Sequence, residues 1–156
     1  MNLPNLMNQR GFTLIELVVV MVIMAVGALW LVPNLGAWLP SYHLRSAARD
    51  IVSTMRTAQM KAVSNNAQYR VNLDDAEVGV ADSYVLQRNS GGVWIHDGAL
   101  QTLPAGITMN TDQLPAGRVI FNPNSTSSAG SVILQNRRGM LRKITITPAT
   151  GRIRIE

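Results

Sequence analysis

A single carboxylate sits inside an otherwise unbroken apolar run near the start of this 156-residue chain. Every residue from 17 to 32 is apolar, and Phe12, Leu14 and Ile15 extend the run beyond Glu16 on its N-terminal side. A helix over 12–32 would reach roughly 30 Å at about 1.5 Å per residue, enough to cross a bilayer core. A carboxylate in such a helix costs about 2.5–3.5 kcal/mol on insertion scales and calls for a partner at the same depth. Cutting the chain after Gly11 would create one, because the new α-amino group of Phe12 lies one helical turn from Glu16. An ordinary secretory signal has a basic start, an apolar stretch of about 7–15 residues and a small-residue cleavage site. Here the leader has only Arg10 for charge, and Glu16 would fall in the core of too long a run. A plain uncleaved anchor fits the length and leaves Glu16 without a partner.

The stretch Arg10-Gly11-Phe12-Thr13-Leu14-Ile15-Glu16 resembles the class III signal of type IV pilins and of the pseudopilins of type II secretion systems. Those families share a short leader ending in Gly, then Phe-Thr-Leu-Ile-Glu and an apolar helix. The resemblance implies that a prepilin peptidase cuts between Gly11 and Phe12 and N-methylates Phe12. It also implies that Glu16 is the filament-assembly glutamate.

Removing residues 1–11 leaves one transmembrane helix and roughly 120 further residues, enough for one small domain. Charged residues make up only 15% and apolar ones 47%, a balance that the apolar segment largely explains. The absence of cysteine excludes a disulfide, a thiolate metal site and a cysteine nucleophile. An exported domain of this kind must hold itself by its core alone.

After Val32 the character changes. Pro33, Gly36 and Pro40 suit a helix interior poorly, and Trp30, Trp38 and Tyr42 cluster as in an interfacial aromatic belt. Two readings stand: a helix end at the membrane surface, or a continuous helix kinked near Pro33. Pilin helices commonly carry a proline at about that place, and the resemblance assigns Pro33 an assembly role. A second helical pattern covers 41–65, where Leu44, Ala48, Ile51, Met55, Ala58 and Ala62 form one apolar stripe. Arg45, Arg49, Arg56 and Lys61 lie mainly off it. Ser41 is the expected N-cap and Asn65-Asn66 the expected stop.

Beyond Asn66 the pattern predicts short strands at 68–73, 83–88, 93–96, 118–121, 131–135, 141–147 and 152–155, with turn formers between them. Tyr84 and Trp94 read as sheet core, Arg137-Arg138-Gly139 as a hairpin tip, and 122–130 as a mobile loop. No internal repeat is visible. One long helix followed by alternating strands implies an α+β fold.

With its "RSAARDIVSTMRTAQMKAVSNN" helix and "GRIRIE" ending, the chain resembles the GspH/FimT family of minor pseudopilins and minor pilins. The likeness covers nearly the whole chain and is strongest over 10–66. It implies a pilin-like α+β fold, with a long N-terminal helix packed on antiparallel β-sheets. The expected organisation is a cleaved leader at 1–11, a transmembrane and assembly helix at 12–33, a periplasmic helical half at 34–66 and a β-rich domain at 67–156. It further implies a non-enzymatic subunit near a filament tip, serving type II secretion or a type IV pilus. Its partners would be other pilin or pseudopilin subunits, a prepilin peptidase and inner membrane lipid, with no cofactor.

Charge is unevenly spread. From 113 onward Arg118, Arg137, Arg138, Arg142, Lys143, Arg152 and Arg154 face only Glu156. Alternation sets Arg152 and Arg154 on one strand face, and the Arg137-Arg138 hairpin beside them would complete a phosphate-spaced patch with Arg142 and Lys143. DNA-binding FimT-type subunits carry a Gly-Arg-x-Arg element near the C-terminus, which Gly151-Arg152-Ile153-Arg154 matches, so the resemblance adds DNA as a candidate partner. No aromatic is interleaved, so contact would be to phosphates without base stacking. Charged edge strands also discourage aggregation, and the patch would equally suit anionic lipid or an acidic neighbouring subunit. His43 and His96 belong to no nucleophile motif. Asp74, Asp75, Glu77 and Asp82 crowd one loop without the spacing of a calcium loop, and read as a solvated acidic turn.

Overall fold

The first helix is set by its own cap. Thr13 Oγ1 accepts the Glu16 amide N–H at 3.3 Å, and the Thr13 carbonyl accepts that of Leu17 at 3.2 Å. From there α1 (Leu14–Ser64) continues for 51 residues. The structure, a computed structural model, describes residues 12–73 and 80–156, without the side chains of 30–38. The leader, with Gly11, and the acidic residues Asp74, Asp75 and Glu77 lie outside the described residues, as do the side chains of Trp30, Pro33 and Trp38. The chain forms two compact units, Met1–Trp38 and Leu39–Glu156.

Of the two readings of the 33–40 region the continuous helix holds, since α1 passes through Pro33, Gly36 and Pro40 without a break, and the expected N-cap at Ser41 is corrected. The helix turns on either side override the local cost of two prolines. Ser41 instead donates its hydroxyl to Met140 Sδ at 3.9 Å, and the Pro40 carbonyl accepts from Asn136 Nδ2 at 3.4 Å. The stop at Asn65-Asn66 holds. Asn66 takes a left-handed φ of 46°, Ala67 N–H donates to the Ala62 carbonyl at 3.2 Å, and Asn66 N–H to that of Val63 at 3.4 Å. This pattern satisfies carbonyls that the helix end would otherwise orphan.

In the second unit the rest of α1 lies against two antiparallel sheets. The strands are β1 (Tyr69–Leu73), β2 (Ser83–Ser90), β3 (Val93–His96), β4 (Gln101–Thr102), β5 (Ile107–Asn110), β6 (Arg118–Phe121), β7 (Gly130–Asn136), β8 (Leu141–Thr147) and β9 (Arg152–Ile155). The first sheet runs β3-β2-β1-β6, with β4 also beside β2, and the second runs β5-β7-β8-β9. All seven strands read from the sequence are present. β4 and β5 were not anticipated: two residues carry no periodicity, and Pro104-Ala105-Gly106 makes the approach to β5 read as a turn.

The stripe of Leu44, Ala48, Ile51, Met55, Ala58 and Ala62 is fully buried, together with Ala47 and Val52. Tyr69, Val71, Leu73, Tyr84, Leu86, Val119 and Phe121 meet it from the first sheet, and Val132, Leu134, Ile144 and Ile146 from the second. Trp94 is not core, contrary to its sequence reading. It is half-buried under the Arg70 guanidinium, which lies 4.4 Å from its ring centroid. Strand alternation explains this: Arg70 falls between the core-facing Tyr69 and Val71, so it points away from α1. Nor is 122–130 a loose loop. Asn122 N–H donates to Thr126 O, Ser127 N–H to Pro148 O and Ser128 N–H to Ile120 O, each at 2.9 Å.

Two predictions follow from this packing. Gly151 is buried with φ +58°, and a Cβ there would meet the Gln59 side chain and lie 2.7 Å from the Ser125 carbonyl. Gly151→Ala should destabilise by about 2 kcal/mol or more, combining left-handed strain of ~1–2 with overpacking of ~1–3 kcal/mol. In thermal unfolding, Gly91→Ala, with open space around a Cβ at φ +64°, should lose only the strain. Burial pushes the Tyr84 phenol up to about 12; the Asp50 carboxylate adds to this and a hydrogen bond with Thr54 opposes it. A raised value favours the neutral phenol in the fold. The stability it contributes is complete below the unfolded value of about 10 and lost as pH rises through the folded one. The tyrosinate absorbance removed by Tyr84→Phe should therefore appear around pH 12; appearance near 10 would contradict the burial.

Candidate functional site

Two places carry the residues singled out by the sequence. The first is the start of α1. Phe12 is 87% exposed, and every described side chain from 12 to 29 is exposed, all of them apolar but Thr13 and Glu16. A sleeve of this kind is far larger than the apolar patches that monomeric soluble proteins tolerate. Among the described residues no helix is long and apolar enough to cross a membrane, and the side chains described in α1 stop at Leu29 and resume at Leu39. Glu16 lies in the first helical turn, where the positive end of the helix favours a carboxylate. Thr13-Leu14-Ile15-Glu16 also has the spacing of a capping box, a signal legible in the sequence that its family resemblance overshadowed.

The second place is the basic C-terminal third, and here the tertiary structure divides what the sequence grouped. In the β8–β9 register Arg154 pairs with Thr145 and Arg152 with Thr147, while Ile153 pairs with Ile146 and Ile155 with Ile144. Ile144 and Ile146 are core, so Lys143, Arg152 and Arg154 share the face turned away from α1. Arg142 sits opposite the core residue Leu134 and belongs to the other face. There it lines a cleft of about 320 Å³ with Arg45, Ala48, Arg49 and Ile155. The 137–139 segment does form the β7–β8 turn, with Gly139 at φ +77°. Arg137 N–H donates to the Gly106 carbonyl at 3.1 Å and its side chain covers Gly106, at the β5 edge. That edge is three strands from β9, about 14 Å at the usual inter-strand spacing. Arg138 is exposed at the tip, its N–H donating to Asn136 Oδ1 at 3.0 Å.

Of the remaining polar residues, two acids have structural partners. Asp82 Oδ1 accepts the Met109 N–H at 2.7 Å, and Asp97 pairs with Lys61 at 2.6 Å. The His43 ring lies 6.4 Å from that of Tyr42, and His96 ends β3. Among the described residues no three His, Cys, Asp or Glu side chains converge as metal ligands would. Sequence reasoning missed the grouping of Arg45 and Arg49 with Arg142, because no local pattern links a helix face to a strand end almost a hundred residues on.

Comparison with known proteins matches both halves of this description. A family model described as the prokaryotic N-terminal methylation motif matches residues 6–32, and one described as type II transport protein GspH matches 47–150. No curated protein matches the chain significantly. The minor pseudopilin EpsH from the type 2 secretion system of Vibrio cholerae is similar in structure, with a TM-score of 0.60 at 10% identity. That match covers 73% of this chain and 96% of EpsH. The type IV minor pilin FimU of Pseudomonas aeruginosa gives 0.58 at 18% identity, over 74% of this chain and 90% of FimU. At such identities these likenesses establish the pilin-like fold alone. The GspH match is of another kind, since it takes in more than half of the sequence, from the buried stripe of α1 through β8. Preceded by a prepilin-type methylation motif, this chain belongs to the type II transport protein GspH family.

Proposed function

We propose that the chain is a minor pseudopilin or minor pilin, a structural subunit built in at or near a filament tip. The observation that carries this reading is the pairing, on one chain, of the N-terminal methylation motif at 6–32 with the GspH match at 47–150. In this reading the precursor inserts in the inner membrane by a single pass over 12–33. Its leader faces the cytoplasm and the Leu39–Glu156 unit faces the periplasm. A prepilin peptidase cuts between Gly11 and Phe12 and methylates Phe12. Side-chain packing then joins the apolar helix to neighbouring subunits, and Glu16 is satisfied by a neighbour's N-terminal amine. Pro33 contributes to fitting α1 among its neighbours. The filament is a periplasmic pseudopilus or an extracellular pilus, and the role is mechanical, without a catalytic step.

Glu16 has two candidate tasks, pairing across subunits and capping its own helix, and substitution separates them. Glu16→Ala should still yield a mature chain beginning with N-methylated Phe12 by mass spectrometry, yet enter filaments at least about tenfold less, as expected for an unpaired charge in lipid. Glu16→Gln keeps the capping geometry and loses the charge, so it should assemble as poorly as Glu16→Ala. Normal incorporation of the Gln variant would assign Glu16 to capping.

A second reading, supported by the shared outward face of Lys143, Arg152 and Arg154, is a DNA-binding minor pilin. Contact would be to phosphates, without sequence preference. Binding of duplex DNA by the full chain in detergent should fall steeply with salt. Arg152→Ala/Arg154→Ala should weaken it and flatten the log–log salt slope by about 2. Absence of binding at low salt would leave these arginines as surface or subunit contacts.

A further inference from the structure

The geometry points to a site for the phosphate of an anionic phospholipid headgroup in the cleft between α1 and the end of the second sheet. Arg45 and Arg49 stand one turn apart on α1, and Arg142 reaches the same cleft from β8. Like charges at that helical spacing repel, and a third cation deepens the cost. None of the three side chains makes a hydrogen bond or ion pair with a described residue. Three guanidinium groups around one concavity of about 320 Å³ form a ready anion receptor, since each offers a planar fork that matches phosphate oxygens.

The walls of the cleft select the kind of anion. Ala48 and Ile155 line the cleft with the arginines, and a second hollow of about 370 Å³ shares Arg45 and Arg142 while adding Leu44, Met140 and Leu141. Leu141 is 58% exposed, Ile155 41% and Met140 39%, so the cations are rimmed by apolar side chains left in water. Tyr42, three residues before Arg45 on the same helix, is also exposed. Arginine beside aliphatic and tyrosyl groups is the surface chemistry of a membrane interface, where the phosphate takes the charge and the glycerol and acyl portion covers the apolar rim. A nucleic acid would leave that rim wet. The cleft is also tethered to the bilayer, since Arg45 follows the apolar segment along α1. The inference therefore rests on the reading that residues 12–33 enter the bilayer.

The test uses the full chain in maltoside micelles, titrated with dihexanoyl phosphatidylglycerol and followed by native mass spectrometry. Dihexanoyl phosphatidylcholine, inorganic phosphate and a short DNA duplex form the other arms. Phosphatidylglycerol should bind saturably and more tightly than either phosphatidylcholine or inorganic phosphate. Arg45→Gln/Arg142→Gln should weaken it at least about tenfold, the scale of losing charge-assisted bonds. Leu141→Asp, which leaves the arginines in place, should weaken it as well. Arg152→Ala/Arg154→Ala, on the opposite sheet face, should not. Unchanged lipid binding in the Arg45/Arg142 variant would overturn the site. Equal affinity for inorganic phosphate would reduce it to a simple anion site, and DNA binding that depends on Arg45 and Arg142 would replace lipid with nucleic acid. Alkaline extraction of host membranes reports on anchoring separately: release of the wild-type chain would sink the bilayer reading while leaving the micelle titration to judge the cleft.

Discussion

Everything in the C-terminal unit hangs on how closely two sheets approach one face of α1. The alanines at 47, 48, 58 and 62 keep the helix surface low, while Ile51 and Met55 fill the space between, each fully buried. Side chains from both sheets meet along this stripe, so one helix face closes two layers at once. With no cysteine in the chain, that apolar contact has no covalent support. Truncating a residue such as Met55 to alanine would open a void in that shared cluster, a change that costs about 2–5 kcal/mol in well-packed cores.

The same helix has two incompatible surfaces. Its described N-terminal side chains are exposed and, Thr13 and Glu16 apart, apolar all round, while from Leu44 to Ala62 one face is buried and the other carries Arg45, Arg49 and Arg56. A helix apolar on every side is built to be surrounded, by lipid or by other helices, whereas a one-sided stripe is built to carry a domain. In the proposed function the division has a purpose: one part serves assembly and the other displays a folded surface.

The elements visible in the sequence were those with periodicity. The buried stripe reads directly from Leu44, Ile51 and Met55 at helical spacing, and the alternation of Arg152-Ile153-Arg154-Ile155 reads as a strand. β4 escaped because two residues have no period. The role of Ser41 was misread because Pro40 looks like a helix boundary, and only the flanking turns show that α1 continues through it. Trp94 looked like core because of its size, yet strand register sets it under the Arg70 guanidinium.

The sequence by itself determined the prepilin-type start, the carboxylate in an apolar helix, the α+β class and the basic C-terminal third, because each is a local pattern or a composition. What only the tertiary structure decided is which of those basic residues act together. Alternation along β8 sends Lys143 and Arg142 to opposite faces, so one joins Arg152 and Arg154 and the other joins Arg45 and Arg49. Arg137 ends at the far edge of the same sheet, over Gly106. Charge along a chain adds up in one dimension, but an electrostatic surface forms only among side chains that share a face, and that depends on register and strand order.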